Sequence, residues 1–560
     1  MGPVRDGTMV PAMTDLLESR ADETEVADVP ADDLELDFGP PDYRPPRGIE
    51  ELWPLFGKIA TALCVVAAVL FTFFKLHPEL IFKNTIPAGG DMGAHVWGPA
   101  YLRDHLLPHG RISGWAPDWY DGFPMYQFYM VVPALMVVAL DVILPYGVAL
   151  KLVSVLGLLS LPVAVWLFGK LAGLRSPIPQ LFAWAAVAFM FDETFTIWGG
   201  NIASTMAGEF SFSIALSFAF FYFAVLIHAL RTGKKYPLAA VLFALAVLSH
   251  GIVAIFVLAA TPLLWLVYTN RRNIGRAVVT AIVGGMLAAF WVLPFVLRTS
   301  FMTDMGYERS TNFWKLFFPY PGNYNDKTAD WNVLDSRIVT LLAIAGLVFA
   351  LVRGFRAGAF LGLVALAAAV GVWLTPQLIL WNVRLLPFFY LARYLLAAIG
   401  IAEIVTWVVR YVRLELRERR ASTDDPYEQV RIDHLLAPER QRSVQRWVVL
   451  GTGLVVVAAI AGVLSFHLRS LPFGRTTAKG YQWGPFTSDN PAFVDGWAKW
   501  NYSGYQEKDA YGEYYGVVTT MKQLGQDRGC GRALWENNNN EDSYGTPMAL
   551  MLLPFWTDGC

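Results

Sequence analysis

Residues 129–145 read YMVVPALMVVALDVILP, and whether this stretch crosses a membrane decides the topology of everything after it. It lies among apolar runs of roughly 17–25 residues, the length a bilayer-spanning helix needs. Those runs fall near 57–75, 147–170, 178–198, 208–230, 236–249, 252–269, 277–297, 337–353, 357–376, 391–411 and 446–467. Basic connectors lie between them at Lys170 and Arg175, RTGKK (231–235), RRNIGR (271–276), RGFR (353–356) and across 410–446. If 129–145 lies flat in the interface, every one of these connectors shares the cytoplasmic side, as lysine and arginine in short loops do. If it crosses, the parity flips and most of them fall outside. The reading is therefore eleven spans, with the N-terminus cytoplasmic, the C-terminus extracytoplasmic and 129–145 an interfacial helix.

Composition agrees with a polytopic membrane protein. Of 560 residues 55% are hydrophobic and only 16% charged, and the mean hydropathy is +0.41. Soluble domains carry about 25% charged residues, so an ordinary cytosolic enzyme is excluded. The formal net charge is −2 with no lysine- or arginine-dense arm, which argues against a nucleic-acid partner. Three cysteines are too few for a disulfide scaffold. Cys530 and Cys560 both fall in the exported tail, where an oxidising compartment would let them pair.

The expected domain plan has three parts. Residues 1–54 form an acidic, proline-rich cytoplasmic tail unable to bury a core. Residues 55–467 form an all-α membrane domain with outer loops 76–128 and 298–336 and a cytoplasmic loop 412–445. Residues 468–560, rich in Trp, Tyr, Gly, Asn and Asp, read as the start of an extracytoplasmic segment with short strands and turns. The outer face thus holds the long irregular segments, where function concentrates.

The first outer loop contains NTIPAGGDMGAH (84–95). Two glycines before Asp91 let the backbone bring that carboxylate close to the membrane surface, and His95 follows four residues on, on the same face of a helix starting there. The pair reads either as a general base with a neighbouring imidazole, as two metal ligands, or as a helix N-cap with a surface histidine. WAPDWYDGFPMY (115–126) places Asp118 and Asp121 among aromatic rings, which suits a sugar's apolar faces and hydroxyls, or else only sets a turn. Asp192 and Glu193 close the third span. Glu209 opens the fourth after WGGNIASTMAG, either lining a cavity or favoured by a helix dipole. His250 breaks one long apolar run at an outer tip, which a tight structural turn would also explain. Lys151 and Arg393 lie just inside the outer ends of their spans, placed either to snorkel to headgroups or to hold a phosphate. No P-loop, CxxC, HExxH or GxSxG motif occurs, so the sequence requires no cofactor, while its outer carboxylates leave room for a divalent cation.

The first span, the long outer loop opening with an acidic residue and the flat helix together resemble the GT-C superfamily of integral-membrane glycosyltransferases. The run LAAVLFALAVLSHGIVAIFVLAATPLLWLVYTNRR (238–272) is similar to that superfamily's paired short spans split by an outer polar turn. ALKLVSVLGLLSLPVAVWLFGKLAG (149–173) resembles its second span. GGD and WAPDWYDGFPMY look most like the YfhO-like branch, the 6-pyruvoyl-tetrahydropterin-synthase-related bacterial membrane proteins. This resemblance implies transfer of a sugar from a polyprenyl-phosphate-linked donor to a cell-envelope glycan or lipid acceptor, on the outer face of a bacterial inner membrane. It makes Asp91 the catalytic base and matches Lys151 and Arg393 to the basic residues that receive the leaving phosphate. His95, Asp118, Asp121, Glu209 and His250 would line the cleft. A transporter or flippase for a lipid-linked sugar, and a non-catalytic envelope scaffold, are the competing expectations. A transporter predicts repeats and midplane sites, which the sequence does not show.

Overall fold

In the computed structural model the stretch 129–145 contains one helix, Val132–Asp141, with Pro133 at its start. Its 10 residues rise about 15 Å, half of a roughly 30 Å hydrocarbon core, so it does not cross. Pro145 then starts the long helix Tyr146–Leu171. The structure describes residues 53–192, 194–303, 313–318, 336–375, 381–423, 425–429, 453, 475–477, 480–484, 486–488, 493–529, 531–536 and 538–557. The span expected at 446–467, the tail 1–52, Glu193, Cys530 and Cys560 lie outside them.

The protein is a polytopic, mostly helical membrane protein. Among the described residues seven helices are long and apolar enough to cross a bilayer, and Ile178–Met190, Tyr236–Ser249 and Arg337–Val352 are shorter apolar helices. Two boundaries depart from the sequence reading. The third span ends at Met190 rather than near 198, because 191–201 turns through Gly199 and Gly200 before the next helix begins. The tenth, Leu386–Ser422, runs well into the expected loop 412–445, since its LELRERR stretch keeps good helix formers after the apolar part ends.

Close packing follows from small residues at crossings, as bilayer helices require. A side chain at Gly157 would strike Ser213 and Ile214 on the neighbouring helix, and Gly346 and Gly400 meet backbone to backbone in the same way. Lipid-facing positions stay apolar instead: Leu63, Phe74, Met286, Leu297 and Leu366 are exposed. The buried charge of Glu403 is answered by Arg353, which donates to its Oε2.

The two ends of the bundle differ. At one end the basic connectors meet: Arg231 Nη1 donates to Leu171 O at 2.7 Å and Asn273 Nδ2 to Leu230 O at 3.1 Å. At the other, a second core joins the loop following Ala88 to the ends of two long helices and to the C-terminal residues. Trp97, Val96, Leu150, Phe210, Tyr505, Tyr514 and Leu552 are buried together there. The C-terminal part begins with a three-stranded antiparallel meander, Arg475–Thr477, Gly480–Trp483 and Phe486–Ser488. Beyond it the chain is helical rather than strand-rich, with helices Phe493–Tyr502 and Tyr511–Arg528.

Candidate active site

Asp91 occupies the N-cap position of the helix Met92–Tyr101, yet its carboxylate makes no capping hydrogen bond. The backbone around it is held from three directions. Asp91 N donates to Ala207 O at 2.8 Å, Ala88 N to Asn501 O at 2.9 Å, and Thr546 Oγ1 to Gly90 O at 2.7 Å. Asn501 Nδ2 also donates to Met206 O at 2.5 Å, so one C-terminal residue holds both segments, one by its carbonyl and the other by its side-chain amide. Gly90 is indispensable here: its φ is +49°, and any Cβ would collide with the Ala207 carbonyl.

The segment that Asp91 leans on is itself irregular. Residues Thr205–Glu209 form a π-helical turn, and Gly208 breaks it with φ +123°. A Cβ on Gly208 would lie 3.0 Å from Asp91 Cβ and 3.2 Å from His95 Cδ2, so only glycine lets the two segments touch. Glu209 follows at the N-cap position of Phe210–Thr232 without capping it. Its buried carboxylate turns instead to Arg384 Nη2 at 2.5 Å and His250 Nε2 at 3.3 Å. π-turns of this kind recur at functional sites.

His250 sits between Tyr236–Ser249 and Gly251–Tyr268 in an extended conformation, and its Nδ1 accepts from Ile252 N at 3.2 Å. That acceptor role puts the ring proton on Nε2, facing the Glu209 carboxylate, and leaves His250 neutral. Arg384 comes from the short 3₁₀ turn Asn382–Leu385, tied down by Asn382 Nδ2 donating to Val372 O at 2.8 Å and Thr375 O at 3.1 Å. With one nitrogen on Glu209, Arg384 keeps its Nε buried and without an acceptor among the described residues.

Electrostatics divide the roles. Asp91 is itself exposed, but the protein packed around its carboxyl removes part of its water and, with the Glu209 charge, raises it above its usual value, with Arg384 pulling the other way. Burial holds His95 down at about 4, with Glu209 opposing and His250 reinforcing, so its imidazole is neutral. Its ring is wedged against Phe210 and Tyr129, and Tyr129 Oη lies 3.5 Å from His95 Nε2 and 3.2 Å from Ser211 Oγ. The arrangement offers one carboxylate of raised basicity, two neutral imidazoles and one guanidinium with a donor unused.

Of the residues singled out from sequence, Asp91, His95, Glu209 and His250 converge. Asp118 and Asp121 lie beside them, lining a cavity of about 740 Å³ shared with the C-terminal residues. Lys151 is elsewhere. It is buried, and its ammonium donates to Leu80 O at 2.6 Å, Lys83 O at 2.5 Å and Thr85 Oγ1 at 3.0 Å, which occupies all three protons. Arg393 is buried among Phe389, Tyr390 and Tyr394, with Nη1 donating to Phe317 O at 3.2 Å. Asp192 belongs to that neighbourhood, accepting from Tyr394 Oη at 3.0 Å. Sequence reasoning passed over Arg384 and Tyr129. A lone arginine in WNVRLLP, a connector that the sequence reading expects on the side of Asp91, is the signal that could have found the first. Among the described residues no three His, Cys, Asp or Glu side chains gather as a metal-ligand set.

A model of a membrane-protein family, the 6-pyruvoyl-tetrahydropterin synthase related domain, matches residues 126–421. No curated protein matches the chain. Among solved structures, the apo oligosaccharyltransferase of Archaeoglobus fulgidus is 13% identical, with 88% of this chain and 64% of that one covered at a TM-score of 0.47. This chain therefore spans less than two thirds of that protein. ArnT from Cupriavidus metallidurans, solved bound to undecaprenyl phosphate, is 14% identical, with 89% and 84% covered at a TM-score of 0.40.

Proposed function

The chain belongs to the membrane-protein family described as 6-pyruvoyl-tetrahydropterin synthase related, and from that premise we propose that it transfers a sugar from a polyprenyl-phosphate-linked donor to an envelope acceptor. The carrying observation is the juxtaposition at one end of the bundle of an uncapped Asp91 with Arg384, whose Nε has no acceptor among the described residues. In the reaction the acceptor hydroxyl gives its proton to the Asp91 carboxylate as its oxygen bonds the anomeric carbon. The bond from that carbon to the donor phosphate breaks with its electron pair on the phosphate oxygen, releasing polyprenyl phosphate. Arg384 meets the charge that collects there, as arginine suits phosphate oxygens. Glu209 and neutral His250 hold Arg384 in place, and neutral His95 packs beside the base without competing for the proton.

A raised carboxyl suits this role, because a general base works best with a pKa nearer the operating pH. The positive-inside rule puts the basic connectors in the cytoplasm. Glu209 at the N-cap and Arg231 in the last turn mark opposite ends of the helix Phe210–Thr232, so the Asp91 site then opens on the outer face of the plasma membrane. The test is purified protein in lipid bilayers, offered polyprenyl-phosphate sugars with crude envelope glycan. Acceptor-dependent release of polyprenyl phosphate supports the reading, and transport of an intact donor without release contradicts it.

A further inference from the structure

Next to the Asp91 centre, the cavity of about 740 Å³ is walled by two distant stretches of chain, the turn at 118–121 and residues between 521 and 554. The walls are fastened to each other. Arg532 Nε lies 3.1 Å from Asp121 Oδ1, its Nη1 donates to Pro117 O, and Tyr120 Oη donates to Met551 Sδ at 3.7 Å. The cavity also abuts the Asp91 turn. The carbonyl of Met548, one of its lining residues, lies 3.3 Å from where a Cβ on Gly93 would stand. Partial loss of water at its ring and then the charge of nearby Asp91 raise the Tyr120 phenol.

The chemistry of the lining is specific. Trp119 and Tyr120 are parallel within 5° at 5.9 Å; the first is buried and the second 66% exposed. Together they offer a flat aromatic face whose outer ring is open. The Trp119 indole nitrogen is buried with no acceptor among the described residues. Asp118 and Asp121 flank the same face, and Tyr120 and Asp121 are both held at positive φ, 51° and 60°. Such a conformation is strained in a residue with a side chain and persists where the surroundings demand it, often at ligand clamps. Aromatic faces take the C–H side of a sugar ring, and carboxylates accept from its hydroxyls. An acyl chain would leave both carboxylates and Arg532 without use, and a polyanion would meet two like charges.

We propose that this cavity is the acceptor site and that it takes an uncharged oligosaccharide, stacked on Tyr120 and hydrogen-bonded to Asp118 and Asp121. The inference rests on the transferase reading for the word acceptor, whereas oligosaccharide binding itself can be measured without turnover. In nanodiscs, tryptophan fluorescence and saturation-transfer NMR would follow titration with mannan, arabinan and galactan oligosaccharides. One of these is expected to bind, with Tyr120→Ala and Asp121→Asn each weakening it at least tenfold. Tyr120 is mostly exposed but also tethers the wall through Met551, so a thermal melt checks that Tyr120→Ala keeps the fold. Asp121→Asn keeps the shape if Arg532 tolerates the change, and a thermal melt shows whether it does. In turnover, Tyr120→Ala should raise the acceptor KM at least tenfold. Binding that both variants leave intact, or binding by none of the three glycans, overturns the proposal. Binding lost in the variants while wild type never releases polyprenyl phosphate upholds the cavity and sinks the transferase reading. An unchanged acceptor KM in Tyr120→Ala sinks the cavity and leaves the transferase standing.

Discussion

Asp91, His95, Glu209 and His250 are scattered over 160 positions of sequence, and the apolar runs together with the parity of the basic connectors order them on one end of the bundle. That much was legible, because charge and histidine between spans stand out against 55% hydrophobic residues. What those side chains touch was not. Lys151 looked like a phosphate ligand until its ammonium proved spent on Leu80, Lys83 and Thr85, a use that depends on how the 80–85 loop folds over it. Arg384 carries the opposite lesson, since nine residues separate it from Arg393 and only the 3₁₀ turn aims it at Glu209. Arg384→Ala should therefore lower turnover about 10²–10³-fold, the usual loss for one charge-stabilising donor. Lys151→Met should leave the rate per folded molecule near wild type and show instead as a lower melting temperature. Steady-state kinetics beside thermal melts separates the two. His95 supplies the pH dependence. Its folded value near 4 lies below the ordinary 6.5, so the unfolded chain binds the extra proton between those values. Stability should rise with pH across that window, by up to about 3 kcal/mol, and be flat for this group above it. Melting of wild type and His95→Gln from pH 4 to 7 checks this, and equal slopes would contradict it.

At the scale of elements, the helix Val132–Asp141 and the π-turn Thr205–Glu209 do the positioning. The first was expected as a flat helix from the parity of the basic connectors, and its 10 residues are too few to cross. The second was not, since TMAGE reads as an ordinary helix start and its irregularity arises from contact with the GGD turn. Glycine is what allows that contact. Gly90→Ala combines a left-handed φ with a collision against Ala207 O, whereas Gly110→Ala has φ +67° and nothing within 4 Å of its Cβ. Gly110→Ala should cost only its backbone strain, about 1 kcal/mol or somewhat more, with turnover per folded molecule unchanged. Gly90→Ala should cost more and also displace Asp91, so its residual folded fraction turns over poorly. Comparable turnover in the two variants would remove the GGD turn from the account.

Across the whole molecule, the C-terminal residues are part of the site. Asn501 and Thr546 hold the GGD turn, and Tyr505, Tyr514 and Leu552 share a core with Trp97. Composition marked this part as exported and aromatic but could not say that it folds back, because long-range contacts leave no local period. Orientation is testable at this scale. With Cys64, Cys530 and Cys560 replaced by serine, a membrane-impermeant maleimide added to intact cells should label Gly110→Cys and spare Gly233→Cys, which becomes reactive only after permeabilisation. The reverse pattern would place the site in the cytoplasm. The central claim, that Asp91 takes the acceptor's proton beside Arg384, is tested most directly by single-turnover release of polyprenyl phosphate from wild type and Asp91→Asn in the same lipid. The account predicts release about 10²–10⁴-fold slower in Asp91→Asn with donor binding retained. Equal rates would contradict it.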